Sequence, residues 1–184
     1  MLDTDNYTRF QEIIFALNTI KCEMDALDRS VLELLRCRRT NNNVFFIGNG
    51  GSSAIASHMA ADFGKNGRMK AMAFNDAASL TCRANDLGYE QVFADPLGLH
   101  GGVWDVLVAI SSSGRSLSIL NAVWQAKKIG MYVITLSGFT EDNPLRLEGM
   151  LNFYVNSHKY GIVEVVHHAI LHSVLDQLLD DGNS

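Results

Sequence analysis

Two short stretches carry residue types in a spacing that suits an anion. Gly48-Asn49-Gly50-Gly51-Ser52-Ser53 follows the apolar run Val44-Phe45-Phe46-Ile47, and a helical pattern (Ile55, Ala56, Met59, Ala60, Phe63) begins at once. A strand, a tight loop and a helix start in succession aim free backbone N–H groups and the positive end of a helix dipole at one place. A phosphate is the natural occupant of such a place. Ser111-Ser112-Ser113-Gly114-Arg115-Ser116 repeats the design after Val106-Leu107-Val108-Ala109-Ile110, and Leu117, Ile119, Leu120, Ala122 and Val123 follow. The hydroxyls of Ser111, Ser112, Ser113 and Ser116 exceed what one helix cap requires, and they match the three terminal oxygens of a phosphate monoester. Two further groups hold the carboxylates and imidazoles that proton transfer needs. His58 and Asp62 stand at i and i+4 on the helix after the first loop. Glu164, His168 and His172 stand at i, i+4 and i+8 on the last helix, with His167 beside them. Each group also has a plain structural reading: a surface helix pair contributing a few tenths of a kcal/mol, and an interface helix with satisfied imidazoles.

These residues need a scaffold, and the hydrophobic pattern supplies one. Residues 5 to 39 read as helix, since Phe10, Ile13, Ile14, Leu17, Ile20, Met24, Leu27, Val31, Leu34 and Leu35 recur at three- and four-residue spacing. So much helix ahead of the first strand exceeds what one small sheet can bury, so part of it is expected to pack against another subunit; the alternative is a helix covering its own domain. Strands are expected at Val44–Ile47, Ala71–Phe74, Val103–Ile110, Met131–Leu136 and Met150–Val155. Helices are expected from Ser52, over Ala77–Ala84, over Ser116–Ile129 and over 162–180, with a loop and a short helix across 85–102. Strands that alternate with helices and read as continuous apolar runs predict a parallel sheet covered on both faces. Ligands of such sheets bind beyond the carboxyl ends of the strands, so the two loops should converge on one pocket.

Bulk properties narrow the ligand. With 184 residues, 47% hydrophobic and 19% charged, the chain has the composition of a soluble globular domain. A net charge of −5 argues against nucleic acid but not against a phosphorylated small molecule held by N–H groups and hydroxyls. The three cysteines, Cys22, Cys37 and Cys82, lack C-x-x-C spacing and read as buried thiols in a reducing compartment. Asp3, Asp5 and Arg9 interrupt any leader, and the longest apolar stretches fall well short of a membrane span. A cytoplasmic location is therefore expected. A nucleoside-triphosphate loop fails for want of a lysine after the glycines. A dinucleotide loop matches only its first two glycines, although Asp76 at the end of the next strand could mimic the ribose-binding acid.

Gly48-Asn49-Gly50-Gly51-Ser52, Ile110-Ser111-Ser112-Ser113-Gly114-Arg115-Ser116 and Met131-Tyr132-Val133-Ile134-Thr135-Leu136-Ser137-Gly138 resemble the sugar isomerase (SIS) domain. Within it the chain is most similar to the phosphoheptose isomerase family, from the N-terminal helices to the last helix. The resemblance implies a flavodoxin-like five-stranded parallel sheet with helices on both faces, in one SIS domain spanning 1–184. Residues 1–40 would be N-terminal helices for oligomerisation and 41–184 the α/β core of a homotetramer with shared active sites. It implies interconversion of sedoheptulose 7-phosphate and D-glycero-D-manno-heptose 7-phosphate, on the way to the heptose of lipopolysaccharide or capsule. Ser52, Ser111, Ser112, Ser113 and Ser116 match the family's phosphate positions, Asn49, Gly50 and Gly51 shape the first loop, and Asn85-Asp86 matches a pair near the sugar.

Such an isomerase takes a proton from one carbon, returns it to the next and stabilises the enediolate between them. The family's catalytic glutamate falls on Asp62 and its C-terminal-helix histidine on His172. Its zinc site, built from His, Glu, Gln and His, maps onto His58, Asp62, Glu164 and His172. Three departures follow. Asp62 is one methylene short, which sets its carboxylate back by roughly 1.5 Å. Glu164 puts a carboxylate where the family has an amide, and Gly161-Ile162-Val163 replaces an Asp-Arg segment. Either Asp62 or Glu164 is then the base and His172 the acid. The Cα atoms of Glu164 and His172 lie about 12 Å apart along one helix, so both reach one metal only at full stretch or across subunits. Alternatives are an isomerase of a different phosphosugar, and a non-catalytic SIS binding module for a phosphosugar or a replication-initiator protein, which lacks the acid and the last histidine.

Overall fold

The computed structural model describes residues 5–20 and 25–181. Five strands form one parallel sheet in the order β2-β1-β3-β4-β5: β1 (Asn43–Gly48), β2 (Lys70–Ala73), β3 (Val106–Ser111), β4 (Tyr132–Gly138) and β5 (Leu151–Val155). Their near-continuous burial accounts for the apolar runs read from the sequence.

Helices cover both faces. On one side α2 (Ala26–Arg39), α3 (Gly51–Lys65) and α8 (Tyr160–Asp181) enclose Val44, Phe46, Val108 and Ile134 with Phe63, Val166 and Leu175. On the other, α5 (Ala94–His100) and α6 (Leu117–Ile129) enclose Phe45, Ile47, Leu107 and Val133 with Phe93 and Val123. The alternation of Phe45 and Phe46 between the two cores is the strand period of two at work. Two further helices, α4 (Ala77–Leu87) and α7 (Pro144–Glu148), follow β2 and β4.

Several sequence expectations are corrected in detail. The segment 5–39 is two helices, α1 (Asp5–Asn18) and α2, because Thr19 turns its hydroxyl onto the Phe15 carbonyl (2.8 Å) where α1 stops. Met24 and Cys22 lie outside the described residues. Val103 and Trp104 form a turn before β3, with Trp104 at φ +71° and its N–H on the Gly130 carbonyl. Helix α4 continues through Asn85-Asp86 and stops at Gly88, whose φ of +90° glycine tolerates. Cys37 is buried, which pushes its thiol up to about 11, whereas Cys82 is exposed rather than buried. Against the expectation of no span-length apolar stretch, Tyr160–Asp180 is long and apolar enough to cross a membrane by length and composition. Its apolarity has a local cause, since Val163, Val166, Ile170, Leu171, Val174 and Leu178 are buried in the sheet-facing core.

The amino edge of the sheet is tied by one buried carboxylate. Asp105 accepts from the backbone N–H of Asn43 (2.8 Å) and Gly102 (2.8 Å) and from the side-chain amides of Asn42 and Asn43 (3.1 Å each). Asp105→Ala strands these donors. A loss of about 3 kcal/mol in urea unfolding is expected, without a change in turnover per folded molecule, because the candidate site lies at the opposite edge.

Candidate active site

Gly48 and Ile110 are register partners, so β1 and β3 end side by side and release their loops at one level. The loops enclose a cavity of about 140 Å³, lined by Asn49 and Ser52 from the first and Ser111, Ser112, Ser113 and Ser116 from the second. Tyr160 and Glu164 of α8 complete its wall. Gly50 takes φ +56°, and a Cβ on Gly48 would strike the Ser52 carbonyl, so both positions call for glycine.

The loops are cross-braced. Asn49 donates to the hydroxyls of Ser116 (2.9 Å) and Ser118 (3.0 Å), and the Tyr89 hydroxyl donates to Asn49 Oδ1 (2.7 Å). Ser116 precedes α6 but makes no capping bond; its hydroxyl is committed to the brace instead. Gly114, at φ +63°, packs on buried Asn143, which in turn donates to the carbonyls of Thr140 (2.8 Å) and Gly138 (3.2 Å). Ser112 lines the cavity, and its hydroxyl is buried and finds no partner among the described residues. A buried hydroxyl left open beside two helix starts is a donor in want of an acceptor. Asp76 is spent as the N-cap of α4, accepting from Ser79 N–H (2.9 Å), which withdraws the residue that had kept a dinucleotide reading open.

Glu164 reaches toward the start of α3, where a Cβ on Gly51 would fall on its carboxylate. The partial positive charge of that helix end favours the carboxylate there. Glu164 therefore belongs to the loop cavity, not to the histidines further along α8.

Those histidines form their own group. His58 of α3 faces His168 and His172 of α8, with ring centroids 4.8 and 5.3 Å away, and His168 and His172 lie 4.6 Å apart. One ring nitrogen from each falls within 4.8 Å of the others. His58 Nε2 lies 3.2 Å from the Asp62 carboxylate. Burial, then the neighbouring His172 and His58, push His168 down from the usual imidazole range, and its buried Nε2 has no hydrogen-bond partner. Three imidazoles beside a carboxylate are a donor set that suits zinc. Tetrahedral Zn–N bonds would hold the nitrogens about 3.3 Å apart, a closure small side-chain rotations supply. His167, the next residue, points the other way: it is fully buried, contacts the Ser137 carbonyl through Nε2 (3.1 Å), and burial drives its pKa down to about 4.

The sequence-expected residues are thus brought to two adjoining places. Asn49, Gly50, Gly51, Ser52, Ser111, Ser112, Ser113, Ser116 and Glu164 build or border the cavity; His58, Asp62 and His172 gather around His168. Asn85 and Asp86 stand exposed at the end of α4, bonded to each other (2.7 Å), and do not line the cavity. Sequence reasoning missed Tyr89, Ser118, Tyr160 and Asn143. Only Asn143, directly before Pro144 at a helix start, carried a local signal, that of a cap.

The SIS domain family model matches residues 10–138. A phosphoheptose isomerase from a Bradyrhizobium species is 32% identical over 159 residues, covering 82% of this chain and 79% of the relative. Among solved structures, the phosphoheptose isomerase of Neisseria gonorrhoeae superposes with a TM-score of 0.87 at 27% identity, covering 97% of this chain and 99% of the other. The phosphoheptose isomerase of Francisella tularensis gives 0.82 at 26% identity, covering 96% of each.

Proposed function

This chain belongs to the SIS domain family and stands among its phosphoheptose isomerases, and on that premise we propose that it interconverts sedoheptulose 7-phosphate and D-glycero-D-manno-heptose 7-phosphate. The observation that carries the reading is the convergence of both loops on one cavity whose lining includes Ser112, with its buried hydroxyl unpartnered. The phosphate sits there, held by serine hydroxyls and the N–H groups at the start of α6, since the Glu164 carboxylate lies over the start of α3.

Length then decides where the carbonyl end goes. An extended chain advances about 1.2 Å per bond, so the eight bonds from phosphorus to C1 span roughly 10 Å. Two turns of α3 separate Gly51 from His58, again about 10 Å along the axis. A seven-carbon phosphate anchored in the loops therefore brings C1 and C2 to Asp62 and His172, whereas Glu164 stays beside the phosphate end. Asp62 takes the proton from C1 of the ketose and returns it to C2. His172 moves the hydroxyl proton from O1 to O2 as the carbonyl shifts. His58 and His172 would hold a zinc ion, which when bound polarises the two substrate oxygens.

The apolar face of α1 supports assembly into a homotetramer: Phe10 and Phe15 are 68% and 67% exposed, while Lys159 pairs with Glu12 to fix that helix on its own subunit. The N-terminal helices then serve both expected roles, α2 in the core and α1 toward a partner subunit. A cytoplasmic location follows from the soluble phosphosugar substrate.

A coupled isomerase assay on a panel of phosphorylated ketoses, with and without chelator, tests the reading. Turnover of sedoheptulose 7-phosphate above the other sugars is expected. Turnover of a different ketose phosphate alone would move the substrate, and turnover of none would leave a binding module.

A further inference from the structure

We propose that this chain carries a three-imidazole divalent-cation site formed by His58, His168 and His172, in which His168 and not Glu164 supplies the third ligand. The idea deepens the isomerase reading by naming the ligands at its carbonyl end, but cation binding is measurable without any turnover.

Geometry separates the two candidates for the third position. One ring nitrogen each of His58, His168 and His172 lies within 4.8 Å of the other two, all from a single subunit. The Glu164 carboxylate is engaged a full helix turn away, over Gly51 at the start of α3. A ligand that left that place would vacate the positive helix end and cross about 6 Å along α8. The second observation is the unpartnered nitrogen: His168 Nε2 is buried with no hydrogen-bond partner among the described residues. His167 Nδ1 is likewise open, but His167 stands outside the group of three imidazoles, whereas His168 is one of its members, so its open nitrogen is placed to ligate. Asp62, 3.2 Å from His58 Nε2, orients that ring as carboxylates do behind metal-bound imidazoles. His58 is half exposed, so the fourth position opens to solvent and to substrate oxygens.

All-nitrogen ligation favours borderline ions, Zn²⁺ and Co²⁺, over Mg²⁺ and Mn²⁺. The full chain in its native assembly, stripped with chelator, is titrated with Co²⁺ and followed by visible ligand-field absorption, then with Zn²⁺ in competition. One equivalent per chain with the intense spectrum of a four-coordinate ion is expected. His168→Ala should weaken Co²⁺ binding at least a hundredfold, with His168→Gln as a second variant and thermal melts reporting that each is folded. Glu164→Gln should leave affinity within about threefold. Loss of binding in Glu164→Gln with retention in both His168 variants would overturn the assignment in favour of Glu164. No Co²⁺ or Zn²⁺ binding by the parent chain would overturn the site itself. Isomerase activity persisting in that apo chain would show that only the metal assignment has failed.

Discussion

Asp62→Asn is expected to lower kcat on sedoheptulose 7-phosphate by a factor of about 100 to 1,000, with KM changed no more than about threefold. The amide keeps the size of the carboxylate and can still accept from His58, whose Nε2 lies 3.2 Å away. What it loses is the ability to take a proton, a function worth 10²–10⁴ in rate. A fall confined to kcat is the mark of a contact that matters in the transition state, because the phosphate cavity that dominates ground-state binding is untouched. Exchange of the C1 hydrogen with deuterium from solvent should slow in parallel, which a merely structural lesion would not select. His172→Ala should match the loss of turnover and keep the same oligomer by light scattering. Glu164→Gln is the control, since its carboxylate lies over Gly51 at the phosphate end. A hundredfold loss there, with near-normal turnover in Asp62→Asn, would transfer the role of base to Glu164.

The two loops were legible because everything that builds them is local. Glycines at strand ends and serines at helix starts state both the turn and its chemistry, and parallel topology forces neighbouring strands to release their loops together. The histidine group was only half legible. Spacing puts Glu164, His168 and His172 on one face of α8, but it does not say which of them meets His58 of α3. Side chains on a helix lean toward its amino end, so Glu164 reaches back to Gly51 while His168 falls level with His58. That choice depends on how α3 and α8 lie against each other, which is a property of the packed core. The same holds for Tyr89, whose bond to Asn49 joins residues far apart in sequence. Val103 and Trp104 misled for a different reason: an apolar, β-branched start to a run reads as strand, yet the Asp105 network and the Gly130 carbonyl claim its backbone first.

Ser112 tests the anion cavity independently of the proton chemistry. The residue lines the loop cavity and its buried hydroxyl has no partner among the described residues, so the free protein gains nothing from it. Ser112→Ala should therefore leave the melting temperature unchanged or slightly raised, because an unsatisfied buried polar group disappears. A hydrogen bond to a charged phosphate is worth about 1.5–3 kcal/mol, which corresponds to a rise in KM of roughly 10- to 150-fold. The rise should be much smaller for a dephosphorylated sugar, whose binding never used the hydroxyl. Inorganic phosphate should inhibit the parent chain competitively and lose most of that inhibition in the variant. The braced neighbours offer the contrast: Ser116 and Ser118 already engage Asn49, so Ser118→Ala slackens the loop and lowers the melting temperature along with affinity. Unchanged KM in Ser112→Ala would mean that the phosphate lies elsewhere, and the 10 Å ruler that points Asp62 at the carbonyl would lose its origin.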